Sequence, residues 1–356
     1  MFLLERKGYE MKKVTSYEIA KEAHVSVMTV TRAFKKNSVI KPETRERILS
    51  IAEKYGYQPN SLAARLAQDR LLISVIVENT FLRLTEELTS GMKLAENMLK
   101  DQKVDLDLHV ISYQNNSSQT IIGEIDTAVD SGAKGLILVM GHYTQDIIDR
   151  LNDIIASGIP VVTLINNPQT INRLCNIQGN EYMIGHMAAE LLSGSIREGE
   201  VVVLLGDEEA DVHKEMLKGF TAALEDSEVR LYNAYDIKEN LEFSRQIIRQ
   251  IIAQKPDIKG IFISTALSVA VLEELNSMNL SGKIKVITSD LFPELIDYIN
   301  NGTVQATIFK DPSKQMVDAI SKLYINISGI SDDTTDIRVV PQIIIKSNLS
   351  AFLEEK

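Results

Sequence analysis

The chain has 356 residues, 44% apolar and 24% charged, with a formal net charge of -11, which suits two or three globular domains. Its one cysteine, Cys175, excludes an intramolecular disulfide framework and fits a reducing compartment, and no CxxC or clustered His/Cys spacing marks a metal site. No apolar run approaches the roughly 20 residues of a membrane span, and Glu5, Arg6, Lys7 and Glu10 interrupt any signal-peptide core, so a cytoplasmic protein is expected.

The charge is unevenly placed. Residues 1–70 hold 14 Lys+Arg against 8 Asp+Glu, whereas the remainder holds 24 against 41. A basic head on an acidic body points to local contact with a polyanion. Met11 offers a second start, so residues 1–10 read as a disordered extension.

In "VTSYEIAKEAHVSVMTVTRAF" (14–34), Thr15 and Glu18 have capping-box spacing, and Ile19, Ala20 and Ala23 form the apolar stripe of a short helix. After a tight turn at residues 23–25, Ser26 caps a second helix. At 100° per residue, Thr29, Val30, Ala33 and Phe34 share its core face, leaving Val27, Met28, Thr31 and Arg32 outward. Val27 and Met28 can pack against a neighbouring element. They can equally touch thymine methyls, with Arg32 forking onto guanine O6 and N7 in a DNA major groove.

A third helix follows, with Pro42 in its first turn, Ile48, Ile51, Ala52 and Tyr55 on one face, and Gly56 as its stop. This makes 11–58 a helix-turn-helix DNA-binding domain. In "YQPNSLAARLA" (57–67), Asn60 can cap about two turns of helix, with Leu62 and Leu66 at i, i+4 beside Arg65. Residues 59–70 read as a hinge helix and linker, with an ordinary linker as the alternative; the apolar pair suits a widened minor groove.

These stretches, in this order and spacing, resemble the head and hinge of the LacI family of bacterial transcriptional regulators, over residues 14–67. The resemblance implies that Val27, Met28 and Arg32 read bases, that Leu66 wedges into the operator's central step, and that Thr15, Tyr17, Ser26, Thr29 and Asn60 hold phosphates. His24 stands where many relatives have glycine, and histidine tolerates the left-handed backbone such a turn needs.

From residue 71, nine β-branched runs alternate with amphipathic helices: "LLISVIV", "LDLHVISY", "GLILVM", "PVVTLI", "EVVVLLG", "VRLYNAY", "GIFIST", "KVITSDL" and "VQATIF". The order predicts an α/β body of doubly wound parallel sheets, too many strands for one compact sheet and comfortable for two lobes. The body resembles periplasmic-binding-protein type I domains. That likeness implies an effector-binding and dimerisation domain over 71–350, with lobes of 71–178 plus 310–327 and 179–309 plus 328–350, and crossings near 165–180, 290 and 310–330.

Ligands of such folds bind beyond the carboxyl ends of strands. Asp290, in "VITSDLFPEL", matches the family's aspartate that bonds sugar hydroxyls, and can also cap the helix near Pro293. Asn79, Phe81, Tyr113, Asn115, His142, Asn166, Asn167 and Thr265 also stand at strand ends, where polar residues are often only turn formers. Met216 of "EMLKGF" replaces the arginine of many relatives, and Lys310 of "TIFKDP" replaces a frequent glutamine. His213, Lys214 and Lys310 would favour an anionic ligand such as a sugar phosphate, unless the lysines are solvated surface groups.

The reading is a sequence-specific DNA-binding repressor whose operator affinity is set by a sugar-like effector between two lobes. A transport-type sugar-binding receptor without a DNA role is the alternative; it needs no head and would need export. No G-x-G-x-x-G after a strand, Walker loop or G-x-S-x-G elbow occurs, so neither enzymatic activity nor a cofactor is expected. The acidic run Asp207, Glu208, Glu209 and Asp211 reads as charge at a helix N-terminus. The end, "SNLSAFLEEK", is too short for a tetramerising heptad helix, which leaves a homodimer on pseudo-palindromic operator DNA.

Overall fold

The computed structural model describes residues 14–34, 40–57, 70–79, 82–112, 116–206, 208–238 and 240–353, the side chains of residues 82 and 83 excepted. The chain divides into a small unit carrying the N-terminal helices and a larger unit built on two sheets.

In the small unit, α1 (Ser16–Glu22), α2 (Val27–Ala33) and α3 (Pro42–Lys54) surround one core of Ile19, Ala20, Ala23, Val30, Ala33 and Ile48. The capping box forms: the Thr15 side chain accepts from the Glu18 amide while the Glu18 carboxylate accepts from the Thr15 amide at 2.7 Å. Ser26 caps α2 by accepting from the Thr29 amide at 3.1 Å. The turn between them passes through His24 at φ 51°, the left-handed conformation expected of it. A 3.0 Å ion pair from Lys54 to Glu22 links α3 to α1.

The larger unit runs β1 (Leu71–Asn79), α4 (Leu82–Leu99), β2 (Val104–Ser112), α5 (Ser118–Asp130), β3 (Gly135–Val139), α6 (Gln145–Ala156), β4 (Val161–Leu164) and β5 (Cys175–Gly179). It continues with α7 (Glu181–Ser195), β6 (Gly199–Leu205), α8 (Asp211–Ala223), β7 (Val229–Asp236), α9 (Leu241–Gln254), β8 (Gly260–Ile263), α10 (Ser268–Ser277), β9 (Lys285–Ser289), α11 (Ile296–Asn300) and β10 (Val304–Phe309). The chain ends through α12 (Pro312–Ile327), β11 (Ile337–Val339), β12 (Gln342–Ile344) and α13 (Leu349–Leu353).

Two six-stranded sheets result, in the orders β11-β5-β4-β3-β1-β2 and β12-β10-β9-β8-β6-β7. All pairings are parallel except β10 with β12. Helices cover both faces of each sheet, so central strands such as β3 and β8 are buried at every residue. Helix α6 shows the complementary logic: Ile147, Ile148, Leu151 and Ile154 fall on one face and are the residues it buries.

Two features depart from the sequence reading. Strands β5, β11 and β12 were not among the nine apolar runs, because "CNIQG" is mostly polar and the other two span three residues each. One of the three crossings between sheets also moves, from near 290 to residues 339–342. The chain leaves the first sheet after Gly179, returns between Phe309 and Pro312, and crosses again between Val339 and Gln342. The stretch around 290 stays within the second lobe, and residues 337–339, expected there, complete the first sheet instead.

Helices α7 and α8 pack closely over the second sheet. A Cβ on Gly185 would lie 1.8 Å from the Met216 carbonyl oxygen, and one on Gly219 would lie 2.0 Å from that of Tyr182. Each glycine thus admits the backbone of the opposite helix.

Candidate functional site

In the head, the second helix presents the face its periodicity predicts. Val30 and Ala33 are buried, whereas Val27 is 40% exposed, Met28 66%, and Arg32 is also exposed. Large apolar side chains left in water beside an arginine offer the groups by which a thymine methyl and a guanine edge can be recognised. Tyr17, 69% exposed, stands on α1. The hydroxyls of Ser26 and Thr29 bond each other at 2.8 Å, and that of Thr15 bonds Glu18 at 3.1 Å. Asn60 and Leu66 lie outside the described residues.

In the body, strand ends of both sheets converge on a cavity of about 210 Å³. Of the strand-end candidates, His142, Asn166, Thr265, Asp290 and Lys310 line it. Asn79 does not; its side-chain oxygen accepts from the Thr85 hydroxyl at 3.0 Å. Lys214 lines an adjoining depression that shares Ile165, Asn166, Glu181 and Val212 with the cavity, and it pairs with Glu209 at 3.1 Å, while its neighbour His213, 100° around the helix, points into the cavity. Asn167 lines that same depression, and Phe81, Tyr113, Asn115 and Asp207 lie outside the described residues.

Lys310 does not stand ready for an anion: its ammonium lies 3.0 Å from the Asp290 carboxylate, and both side chains are largely buried. Asn166 donates to the carbonyls of Met140 and Gly141, each at 2.8 Å, bracing the end of β3 against β4. His213 Nδ1 lies 3.1 Å from the Ser264 hydroxyl, which itself donates to the Leu204 carbonyl. That hydroxyl therefore accepts from the histidine, which fixes the proton on Nδ1.

Two buried carboxylates in the wall escaped the sequence reading. Glu78, the last charged residue of β1, accepts from the Gly141 amide at 2.7 Å and from Asn116 at 2.5 Å. Glu181, in the first turn of α7, is 5% exposed, and its Oε2 has no hydrogen-bond partner. Burial pushes its carboxyl above the usual carboxylate range, against the pull of Lys310. The signals were a lone charge ending an apolar strand and an acid opening a helix, both of which have ordinary explanations.

Ile165 and Asp290, both lining the cavity, hold φ values of 69° and 68°. Such backbone is costly for a β-branched residue and concentrates at functional sites.

Comparison with known proteins joins these two sites. Residues 15–60 match the model of bacterial regulatory proteins of the lacI family, and residues 85–330 match that of the periplasmic binding protein domain. The chain belongs to the lacI family of bacterial regulatory proteins. Catabolite control protein A of Priestia megaterium is 26% identical over 291 residues, covering 78% of this chain and 82% of that protein. The Staphylococcus xylosus protein of the same name is 29% identical over 150 residues, covering 42% and 43%. Among solved structures, a glucose-galactose binding protein from Geobacillus stearothermophilus superposes with TM-score 0.66 at 20% identity, over 79% of this chain and 99% of that one. A solute-binding protein from Burkholderia graminis, in complex with D-arabinose, gives 0.71 at 20%, over 80% and 99%. These two likenesses show the fold of the body. This lacI-family member is thus a DNA-binding transcriptional regulator with a two-lobed α/β body, and no helix among its described residues is long and apolar enough to cross a membrane.

Proposed function

We propose that the operator affinity of this regulator is set by a small polyhydroxylated effector, a sugar or sugar derivative, held in the cavity between the lobes. The observation that carries this is the coexistence in one chain of an exposed Val27, Met28 and Arg32 face with a cavity at the carboxyl ends of two parallel sheets. Binding at the cavity changes the balance between two arrangements of the lobes. The hinge at 59–70 passes that change to the head, and the coupling is reciprocal between DNA and effector.

The protein acts as a cytoplasmic homodimer on a pseudo-palindromic site, the two-fold of the protein matching that of the operator. It binds its effector and does no chemistry on it. The transport-type receptor reading accounts for the body but gives residues 15–60 no role.

The test is fluorescence anisotropy of the full chain on an operator selected from random duplex, at fixed salt, with and without each of a panel of sugars. Tight binding that a sugar shifts in either direction supports the reading, the direction distinguishing inducer from corepressor. Equal affinity for selected and scrambled DNA overturns it.

A further inference from the structure

The cavity wall holds four carboxylates, Glu78, Glu87, Glu181 and Asp290, and one lysine, Lys310, which pairs with Asp290. Glu78 is satisfied on both oxygens by Asn116 and Gly141, whereas Glu181 has no ionic partner within 4 Å among the described residues. Three buried side-chain atoms of the wall lack a hydrogen-bond partner: Glu181 Oε2, Asp290 Oδ1 and Gln315 Oε1. The orientation of the Gln315 amide is set by its Nε2, which donates to the Lys310 carbonyl at 2.9 Å, so its oxygen is the unpaired end. All three unpaired atoms are acceptors when the acids are ionised. Two donors of the same wall are already engaged, the Asn166 amide on two carbonyls and the Ser264 hydroxyl on Leu204.

A neutral polyol can turn hydroxyl hydrogens toward these oxygens, but it brings no charge to an ionised Glu181. An ammonium group has three donors and no acceptor, and its charge answers a carboxylate that has no ion pair within 4 Å among the described residues. Resting on the reading of the cavity as an effector site, we propose that the effector is an amino sugar or other amine-bearing polyol whose ammonium sits on Glu181, with further donors reaching Asp290 and Gln315. The carboxyl of Glu181, held toward its neutral form by burial, ionises when that cation arrives. The same wall repels sugar phosphates and sugar acids, reversing the anionic preference that Lys214 and Lys310 suggested in the sequence.

The experiment is calorimetric titration of the full chain with three matched sets: glucosamine, N-acetylglucosamine and glucose; the galactose set; and the mannose set; each with the corresponding uronic acid. For the set that fits, the free amine is expected to bind about tenfold more tightly than its neutral counterparts. Glu181→Gln should reduce that ratio to about twofold, because a neutral amide keeps the shape and loses the charge. A neutral sugar or uronic acid binding as tightly as the amine, or an amine preference that survives Glu181→Gln, overturns the inference and leaves the sugar-effector reading standing. If no compound of any set binds, the effector reading falls and this inference with it. Should the variant lack a cooperative melt, the wild-type ratio of amine to neutral affinity decides alone.

Discussion

Ile165 and Asp290 are counterparts in the two lobes. One follows β4 and the other β9, which occupy the same place in their sheets, and each amide donates to a carbonyl of the next strand, Ile177 at 3.0 Å and Ile308 at 2.9 Å. Both adopt the same left-handed backbone, φ 69° and 68°. The two lobes use one local device to end a strand and turn a residue into the cavity, although aspartate tolerates that conformation and isoleucine does not.

This makes a backbone prediction separable from charge. Asp290→Asn and Asp290→Val both remove the carboxylate, but asparagine accepts positive φ and valine resists it. Urea unfolding should find the valine variant less stable than the asparagine one by about 1–3 kcal/mol. Equal midpoints would show that the φ value at 290 carries no strain.

The Lys310 to Asp290 pair should show coupling in a double-mutant cycle. Lys310→Met leaves Asp290 charged and largely buried, and adding Asp290→Asn removes that burden. The double variant is expected to be more stable than the sum of the singles predicts, by about 1–3 kcal/mol in chemical denaturation.

Gly185 and Gly194 lie on the same helix and should respond oppositely to alanine. A methyl at 185 meets the Met216 carbonyl, so α7 and α8 must separate, at a cost of about 3 kcal/mol. At 194 nothing lies within 4 Å, and alanine should stabilise by about 0.5–1 kcal/mol through helix propensity. Thermal melts of the two variants make the comparison.

The Glu181 carboxyl gives a pH signature. Its folded-state affinity for a proton is raised, first by burial and then by Asp290, with Lys310, His213 and Arg338 opposing. The folded state therefore binds that proton more tightly than the unfolded chain does. This contribution to stability is complete below the ordinary glutamate range and is lost as pH rises through the elevated folded value. Glu181→Gln should gain stability relative to the parent as pH increases; urea midpoints of both proteins across acid to neutral pH provide the check.

On DNA, Arg32→Ala should cost about 1–3 kcal/mol at the cognate operator and relax preference at one base pair per half-site. Anisotropy on operators altered at single positions measures this, and equal losses on cognate and scrambled duplexes would reassign Arg32 to the phosphates.

The head was legible because its signals are local. Ser26 as cap, Val30 and Ala33 inward, and Met28 and Arg32 outward follow from one helix and its 100° step. The apolar central strands were equally plain, since burial on both faces leaves a continuous β-branched run. The cavity was harder, because it is assembled from residues far apart in sequence whose local roles are ordinary. Glu181 reads as an acid in the first turn of a helix, and only the fold shows its oxygen without a partner. Lys214 and His213 show the resolution limit of such reading: one residue separates a side chain in the cavity from one paired with Glu209.

Strands β11 and β12 lie only two residues apart, yet one closes the order of the first sheet and the other that of the second. Neither sheet can therefore be finished on the ribosome until residues 337–344 have emerged. A premature stop upstream of residue 337 strips an edge strand from both sheets at once, exposing the flanks of β5 and β10 to pairing with other nascent chains. For this regulator, translation through residues 337–344 is a checkpoint that both lobes of the body share.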